Sequence, residues 1–377
     1  MKSSTRLLRR AAPALIAYSA IRILCLGTLY LWSYIADRDA TDLLARRWDS
    51  LWYVRVVEEG YGFTLQAPDG RVLSDMAFFP LLPWLESLVS AATPMSPAHA
   101  GLAISAVASV LAALGIFAVV DQLNGRRAAV FAVALWAALP VGIVQSMAYS
   151  ESLFVALAVW SLRWAINGDW VRAGLLASLA GLTRPVGLAV AAALWAAALV
   201  HLRGRSKDPE GSRPTGRMIL GLLIAPAGAV GYILWVGSQV GSPLGYLDVQ
   251  AAWGNGFDGG LAFSKFIGGL ILSPAFPAGI ALAVGVFMLG WLYRKTIKEN
   301  QPVPLLVYCG VVVLLALCAS GYFGSKPRLL IPAFPLLIPL ANALSRMKAA
   351  RAWSIVGTAV LTAAVYGAFW LHGSGPP

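Results

Sequence analysis

Apolar runs close to the length of a bilayer core recur along this chain from end to end, separated by short polar breaks. Crossing a hydrocarbon core takes about 20 apolar residues of helix. The pattern predicts spans at roughly 13–35, 97–120, 128–147, 150–167, 171–182, 185–202, 217–239, 266–292, 303–322, 329–345 and 353–371. Only helices satisfy all their own backbone groups in lipid, so the expected fold class is an all-α polytopic bundle of about eleven spans. Segments 171–182 and 185–202 are short and meet at Thr183-Arg184-Pro185. Proline disfavours helix at the residue before it, which predicts two helices joined by a tight turn. No repeat relates the two halves, which counts against a transporter built by duplication. The expectation is a single domain over 1–377.

Composition agrees with the pattern. The chain is 59% hydrophobic and only 12% charged, with a mean hydropathy of +0.72. A soluble domain of this length needs a far more charged surface. The net charge of +12 suggests nucleic acid only until the charges are placed. The N-terminus, Arg126, Arg127, Arg163, Arg172, the segment 203–217, 294–298 and 346–351 all fall on one side if the spans alternate. That is the positive-inside pattern of a cytoplasmic face, not a nucleic-acid stripe. The loops 36–96, 240–265 and 322–328 and the C-terminus then lie outside. His201–Arg217, with 203–217 its basic part, reads as a flexible cytoplasmic linker. The opening MKSSTRLLRR has the charge layout of a signal peptide, but no small-residue cleavage site follows, so an uncleaved first span is expected. Cys25, Cys309 and Cys318 lie in apolar runs and read as small buried hydrophobes.

Charge placement also marks a site. Of 17 acidic residues, nine lie between Asp37 and Glu86, in a loop that carries RRWDSLWY (Arg46–Tyr53), EEGYGF (Glu58–Phe63) and DMAFFPLLP (Asp75–Pro83). Asp49 sits among Trp48, Trp52 and Tyr53. Such rings desolvate a carboxylate and raise its basicity, which suits a general base, and they stack on sugar faces. An interfacial aromatic belt with a solvated Asp beside it accounts for the same residues. Tyr61, Phe78 and Phe79 add to the aromatic set. Further along, AYSESLF brings Tyr149, then Ser150 as a plausible helix cap, then Glu151 at the outer end of a span. Arg184 lies alone between two apolar segments, and ionisable groups at membrane depth are functional candidates. A guanidinium binds phosphate through two parallel hydrogen bonds. Lys326 and Arg328 stand at an outer mouth against the positive-inside trend, which points to an anionic ligand or to lipid headgroups. Gln250 and Trp253 are three apart and share a helical face. Asp37-Arg38-Asp39 matches a weak D-x-D metal pattern. Arg22, well inside the first span, calls for a partner such as a buried acid or a lipid phosphate. His99, His201 and His372 are isolated, so no histidine metal site is expected.

Taken in order, WDSLWYVRVVEEGYGF, AFFPLLP, AYSESLF, AGLTRPVG, VQAAWG and KPRLLIPAFPLL resemble the PIG-V type mannosyltransferases, the second mannosyltransferase of glycosylphosphatidylinositol synthesis and its bacterial relatives. The resemblance runs over most of the chain; FFPLLP departs from the more usual Tyr-containing version. It implies a GT-C-like helical bundle with an outer active site in the first extracytoplasmic loop. It also implies a polyprenyl-phosphate-mannose donor, inverting transfer to a lipid or glycan acceptor, and no cofactor or nucleotide. By motif, Asp49 matches the proposed base. Glu151, Arg184, Gln250, Trp253 and Arg328 match the other polar positions. On that reading Arg184, Lys326 and Arg328 hold the donor phosphate, with no metal needed. Trp48, Trp52, Tyr53, Tyr61, Phe78, Phe79, Tyr149, Glu151, Gln250 and Trp253 line the sugar and acceptor. Two other classes fit the composition. A lipid-linked-sugar flippase places its polar residues near mid-membrane. A non-catalytic cell-envelope scaffold does not need Asp49.

Overall fold

The computed structural model describes residues 2–204 and 215–375. Among them, six helices are long and apolar enough to cross a membrane, namely Thr5–Ile35, Pro97–Asn124, Pro185–Arg203, Gly216–Val240, Phe276–Lys298 and Ala349–His372. A seventh span is counted if Phe323–Leu329 and Phe334–Arg346, bent by 73°, cross as one. The other four expected spans are shorter helices: Arg126–Ala137, Glu151–Ile166, Trp170–Gly181 and Val303–Cys318. All eleven predicted positions are therefore helical, but not all are of bilayer length. Pro97–Asn124 is the central post, packed against Lys2–Ile35, Arg126–Ala137 and Glu151–Ile166.

Helix boundaries follow local chemistry. Pro97 occupies the first turn of its helix, where its missing N–H costs nothing, and Gly125 ends that helix at φ 85°. Asp169 caps Trp170–Gly181 by accepting from Arg172 N at 3.3 Å. The expected span 128–147 stops at Ala137 because Pro140 bars helix before it; a 3₁₀ turn over Gly142–Ser146 follows. The expected 266–292 span is likewise broken, into Leu261–Ile271 and Phe276–Lys298, around Ser273-Pro274.

Each break exposes carbonyls that lipid cannot satisfy. Arg22 answers the first, donating to Ala137 O at 2.5 Å and to Gly142 O. Among the described residues its partner is thus not a buried acid but the unpaired end of a helix, where positive charge is favoured. Trp136 Nε1 and Tyr308 OH answer the break near Pro332, donating to Ile331 O at 3.1 Å and Pro332 O at 3.0 Å. Neighbouring helices also close on glycines. A Cβ at Gly174 would run into the Gly221 carbonyl, and one at Gly221 into that of Trp170. Small residues permit this backbone approach where no hydrophobic force drives helices together. Gly174→Leu is expected to lower thermal stability in detergent by about 1–3 kcal/mol.

The loop 36–96 departs from the all-α expectation. Thr64–Gln66 and Val72–Ser74 pair as an antiparallel hairpin, with Leu65 opposite Leu73. Its turn is Pro68-Asp69-Gly70, with Gly70 at φ 86°. Asp75, just after the hairpin, ties its two ends together by accepting from Gly62 N and Phe63 N just before it; burial pushes its carboxyl up. Asp39 of the D-x-D pattern is used as a helix cap, accepting from Thr41 N at 2.6 Å and Asp42 N at 3.0 Å. At the basic segment, His201–Gly204 continues the helix Leu188–Gly204, and Gly216 begins the next; 205–214 lies outside the described residues.

Candidate active site

Four segments far apart in sequence bring their charged side chains to one place. Asp49 opens the helix Asp49–Glu59. Trp48, just before it, has φ 52° and ψ −118°, a conformation L side chains avoid. The surroundings hold it there. Arg47 donates to Leu371 O and, at 2.8 Å, to Gly373 O, and its guanidinium covers the Trp48 ring at 4.0 Å. The end of the last helix thereby fixes where Asp49 points. Strain that the surroundings over-determine is typical of functional positions.

Glu151 opens the helix Glu151–Ile166 and is buried. Arg184 stands at the turn before Pro185, its backbone extended at φ −160° and ψ 151° as proline requires. Arg328 is carried on the short helix Lys326–Leu329, in the first arm of the bent pair.

The contacts form a chain of alternating charge. Arg328 Nη1 donates to Asp49 Oδ2 at 2.7 Å. Arg328 Nε lies 3.3 Å from Glu151 Oε1, and Arg184 Nη1 donates to that same oxygen. The formal charge of the four is zero. Glu151, with 1% of its side chain exposed, separates two guanidiniums that would otherwise repel. Asp49 at 24% and Arg184 at 14% are the more open members, so a ligand meets these first. Among the described residues Asp49 Oδ1 and Glu151 Oε2 have no hydrogen-bond partner.

Neutral groups frame the cluster. Tyr149 OH accepts from Asp49 N at 3.3 Å, and the Arg328 guanidinium lies 5.2 Å from the Tyr149 ring. Ser150 does not cap its helix; its hydroxyl bonds Tyr53 OH at 3.0 Å and Arg184 Nη1 at 3.3 Å. Burial pushes the Tyr53 phenol up, so it stays protonated and acts as a hydrogen-bonding brace. Next to Asp49 lies an aromatic platform. Trp52 stacks on Phe78 at 5.5 Å, and Trp253 meets both edge-on at 4.9 and 5.3 Å. Trp253 is anchored through its indole N–H to Ser74 O at 3.0 Å.

The remaining sequence candidates turn elsewhere. Lys326 donates to Ala316 O and Ala319 O, both at 2.8 Å, and lies against Phe263 and Phe323. It ties off the end of Val303–Cys318 rather than joining Arg328. Gln250 is occupied by Ala77 O, Tyr246 OH and Asn255 Nδ2. Phe79 packs on Tyr232 and Tyr246, while Tyr61 OH and Tyr232 OH both donate to Phe78 O. These residues pin the loop 36–96 to the helices Ala227–Val240 and Gly245–Ala252. Glu151 is a spacer between cations, not a side chain open to a sugar. Nor is Asp49 set among rings alone, since its nearest neighbour is a cation. Sequence reasoning missed Arg47 and the role of Ser150. Ser150 adjoins Glu151 in a candidate motif, which was the available signal; nothing in the sequence singles out Arg47.

Removing Glu151 leaves Arg184 and Arg328 facing each other in a poorly solvated site. Breaking a buried ion pair on one side costs about 3–5 kcal/mol. Glu151→Ala is therefore expected to lower unfolding stability by an amount in that range, measured by thermal or denaturant unfolding in detergent.

No family model matches this chain, and no curated protein does. Among solved structures, ArnT from Cupriavidus metallidurans bound to undecaprenyl phosphate superposes with a TM-score of 0.58 at 14% identity, over 93% of this chain and 63% of that one. Its apo form gives a TM-score of 0.50 at 15% identity, over 94% and 62%. The archaeal oligosaccharyltransferase AglB from Archaeoglobus fulgidus, in complex with an inhibitory peptide and a dolichol-phosphate, gives 0.47 at 14%, over 94% and 56%. The chain thus spans less than two thirds of the length of the ArnT structures it matches. This multi-pass helical bundle shares the overall fold of the ArnT structures.

Proposed function

We propose that this chain is a membrane glycosyltransferase that moves mannose from a polyprenyl-phosphate donor to a lipid or glycan acceptor outside the cytoplasm. One observation carries the reading: Asp49, Glu151, Arg184 and Arg328, from four separate motifs, meet in one ionic cluster beside an aromatic platform. A carboxylate with one free oxygen, paired with Arg328 and linked through Glu151 to a second guanidinium, suits acid–base chemistry on a phosphate ester. Binding of undecaprenyl phosphate by ArnT, which shares the fold, supports a lipid phosphate as the ligand. The choice of mannose rests on the ordered motifs that resemble the PIG-V type enzymes.

In this mechanism Arg184 and Arg328 hold the donor phosphate, and Trp52, Phe78 and Trp253 flank the sugar. Asp49 takes the proton of the acceptor hydroxyl through Oδ1. The hydroxyl oxygen attacks C1 from the face opposite the phosphate, which inverts the anomeric centre. Charge that develops on the leaving phosphate is met by guanidinium groups already in place. Glu151 sets the spacing of those groups.

The donor class is tested with purified protein offered polyprenyl-phosphate mannose, polyprenyl-phosphate glucose and a nucleotide-linked mannose. Consumption of the first is expected. Preference for the glucose lipid overturns the sugar, and use of the nucleotide overturns the donor class. The reading also places Asp49 outside and the basic loops inside. Asp69→Cys, on the exposed hairpin turn, should be labelled by an impermeant thiol reagent from outside intact cells, whereas Arg351→Cys should not. The opposite pattern overturns the orientation.

A further inference from the structure

We infer that Arg328 is handed from Asp49 to the leaving phosphate during the reaction, so that one guanidinium serves the base before the chemical step and the leaving group after it. The inference rests on the transferase reading above. Its starting point is the pairing itself. The carboxylate placed to accept a proton already holds the cation placed to hold phosphate, at 2.7 Å. Both roles cannot be filled at once at full strength through Nη1, the atom that faces Asp49.

Arg328 has 10% of its side chain exposed, so it has no solvent to retreat into. Its choices are Asp49, Glu151 and an incoming anion. Nε rests 3.3 Å from Glu151 Oε1 without hydrogen-bond geometry, a loose hold about which the fork can turn. Nη2 has no acceptor among the described residues. Arg184 is engaged by both Glu151 and Ser150. Of the two cations, only Arg328 is bonded to Asp49, so it is the one whose partner changes charge in the step.

The charge count gives the direction. Two acids and two guanidiniums leave the cluster neutral, and a phosphodiester donor adds one negative charge. In the transfer step the acceptor O–H proton goes to Asp49, and the acceptor oxygen forms the new bond to C1. The C1–O bond to phosphate breaks, and its electron pair stays on the phosphate, which gains a second negative charge. Asp49 loses its charge in the same step. Total charge in the site is unchanged; it has moved from Asp49 to the phosphate. Arg328 loses its anion as a new one appears beside it.

Asp49→Asn imitates the neutral, post-transfer side chain. It should bind the spent lipid more tightly than wild type does, because Arg328 no longer has a competing carboxylate. A charge-assisted hydrogen bond sets the scale, a gain on the order of tenfold. The probe is undecaprenyl phosphate in nanodiscs, its affinity compared for wild type, Asp49→Asn, Asp49→Ala, Arg328→Gln and the Asp49→Asn/Arg328→Gln double variant. The expected result is tighter binding in both Asp49 variants and no such gain in the Arg328→Gln background. Equal or weaker binding by both Asp49 variants, with Arg328 in place, overturns the handover. If none of the proteins binds undecaprenyl phosphate, the transferase reading falls and takes the handover with it. If wild type binds the lipid and turns over donor but the Asp49 variants show no gain, the handover alone falls.

Discussion

Asp49→Asn is expected to lower turnover by on the order of 10²–10⁴ while the protein still folds, since loss of a general base costs that much. The change keeps the shape of the side chain and its backbone contact to Tyr149 OH. It removes the only acid of the cluster that is both part-exposed and has a free oxygen, because Glu151 is buried between two guanidiniums. The amide oxygen still accepts from Arg328, so the fold has no reason to fail. The measurement is single-turnover transfer by purified protein, with thermal unfolding as the control. Near wild-type turnover would move the base to another carboxylate of the outer loop, such as Glu58 or Glu59.

Arg328→Ala is expected to cost on the order of 10²–10³ in the rate of transfer, the usual size for loss of a group that stabilises developing negative charge. Its signature should differ from that of Asp49→Asn. Asp49 loses its partner at 2.7 Å, and Glu151 keeps only Arg184, so stability should fall together with activity. Arg328→Lys restores the charge but not the planar fork that reaches Asp49 and Glu151 at once. It should recover stability better than turnover. Equal recovery of both would make Arg328 a purely structural ion-pair member.

The sequence was informative wherever cost in lipid limits the options. A lone Arg184 between apolar segments and an Arg328 on the wrong side of the charge pattern both stood out, because cations at such depth need a partner. The structure gives them one, Glu151, which the sequence had offered only as a sugar or acceptor contact. Long apolar runs located a helix at each expected span but not the helices Asp49–Glu59 and Gly245–Ala252 in the loops, and Pro140 and the Ser273-Pro274 pair cut two spans shorter than hydropathy suggested. What could not be read was orientation of side chains. Lys326 and Arg328 are two apart on one short helix and point to different partners. Gln250 and Trp253 share a face, but one is consumed in bracing and the other completes a platform. Tertiary packing decides such cases, and spacing alone does not carry it. Glu86 shows the same limit. It counts toward the acidic outer loop by sequence, yet it is fully buried against Gly101 and makes no ion pair among the described residues.

The most direct test is release of polyprenyl phosphate from polyprenyl-phosphate mannose by purified protein in nanodiscs, with acceptor lipids from the host membrane present. Wild type should release the lipid phosphate and place mannose on an acceptor with inverted anomeric configuration. Asp49→Asn should do neither, although it folds and binds the spent lipid. A contradicting result is the absence of any transfer by folded wild type under these conditions, or transfer that proceeds unchanged without the Asp49 carboxylate.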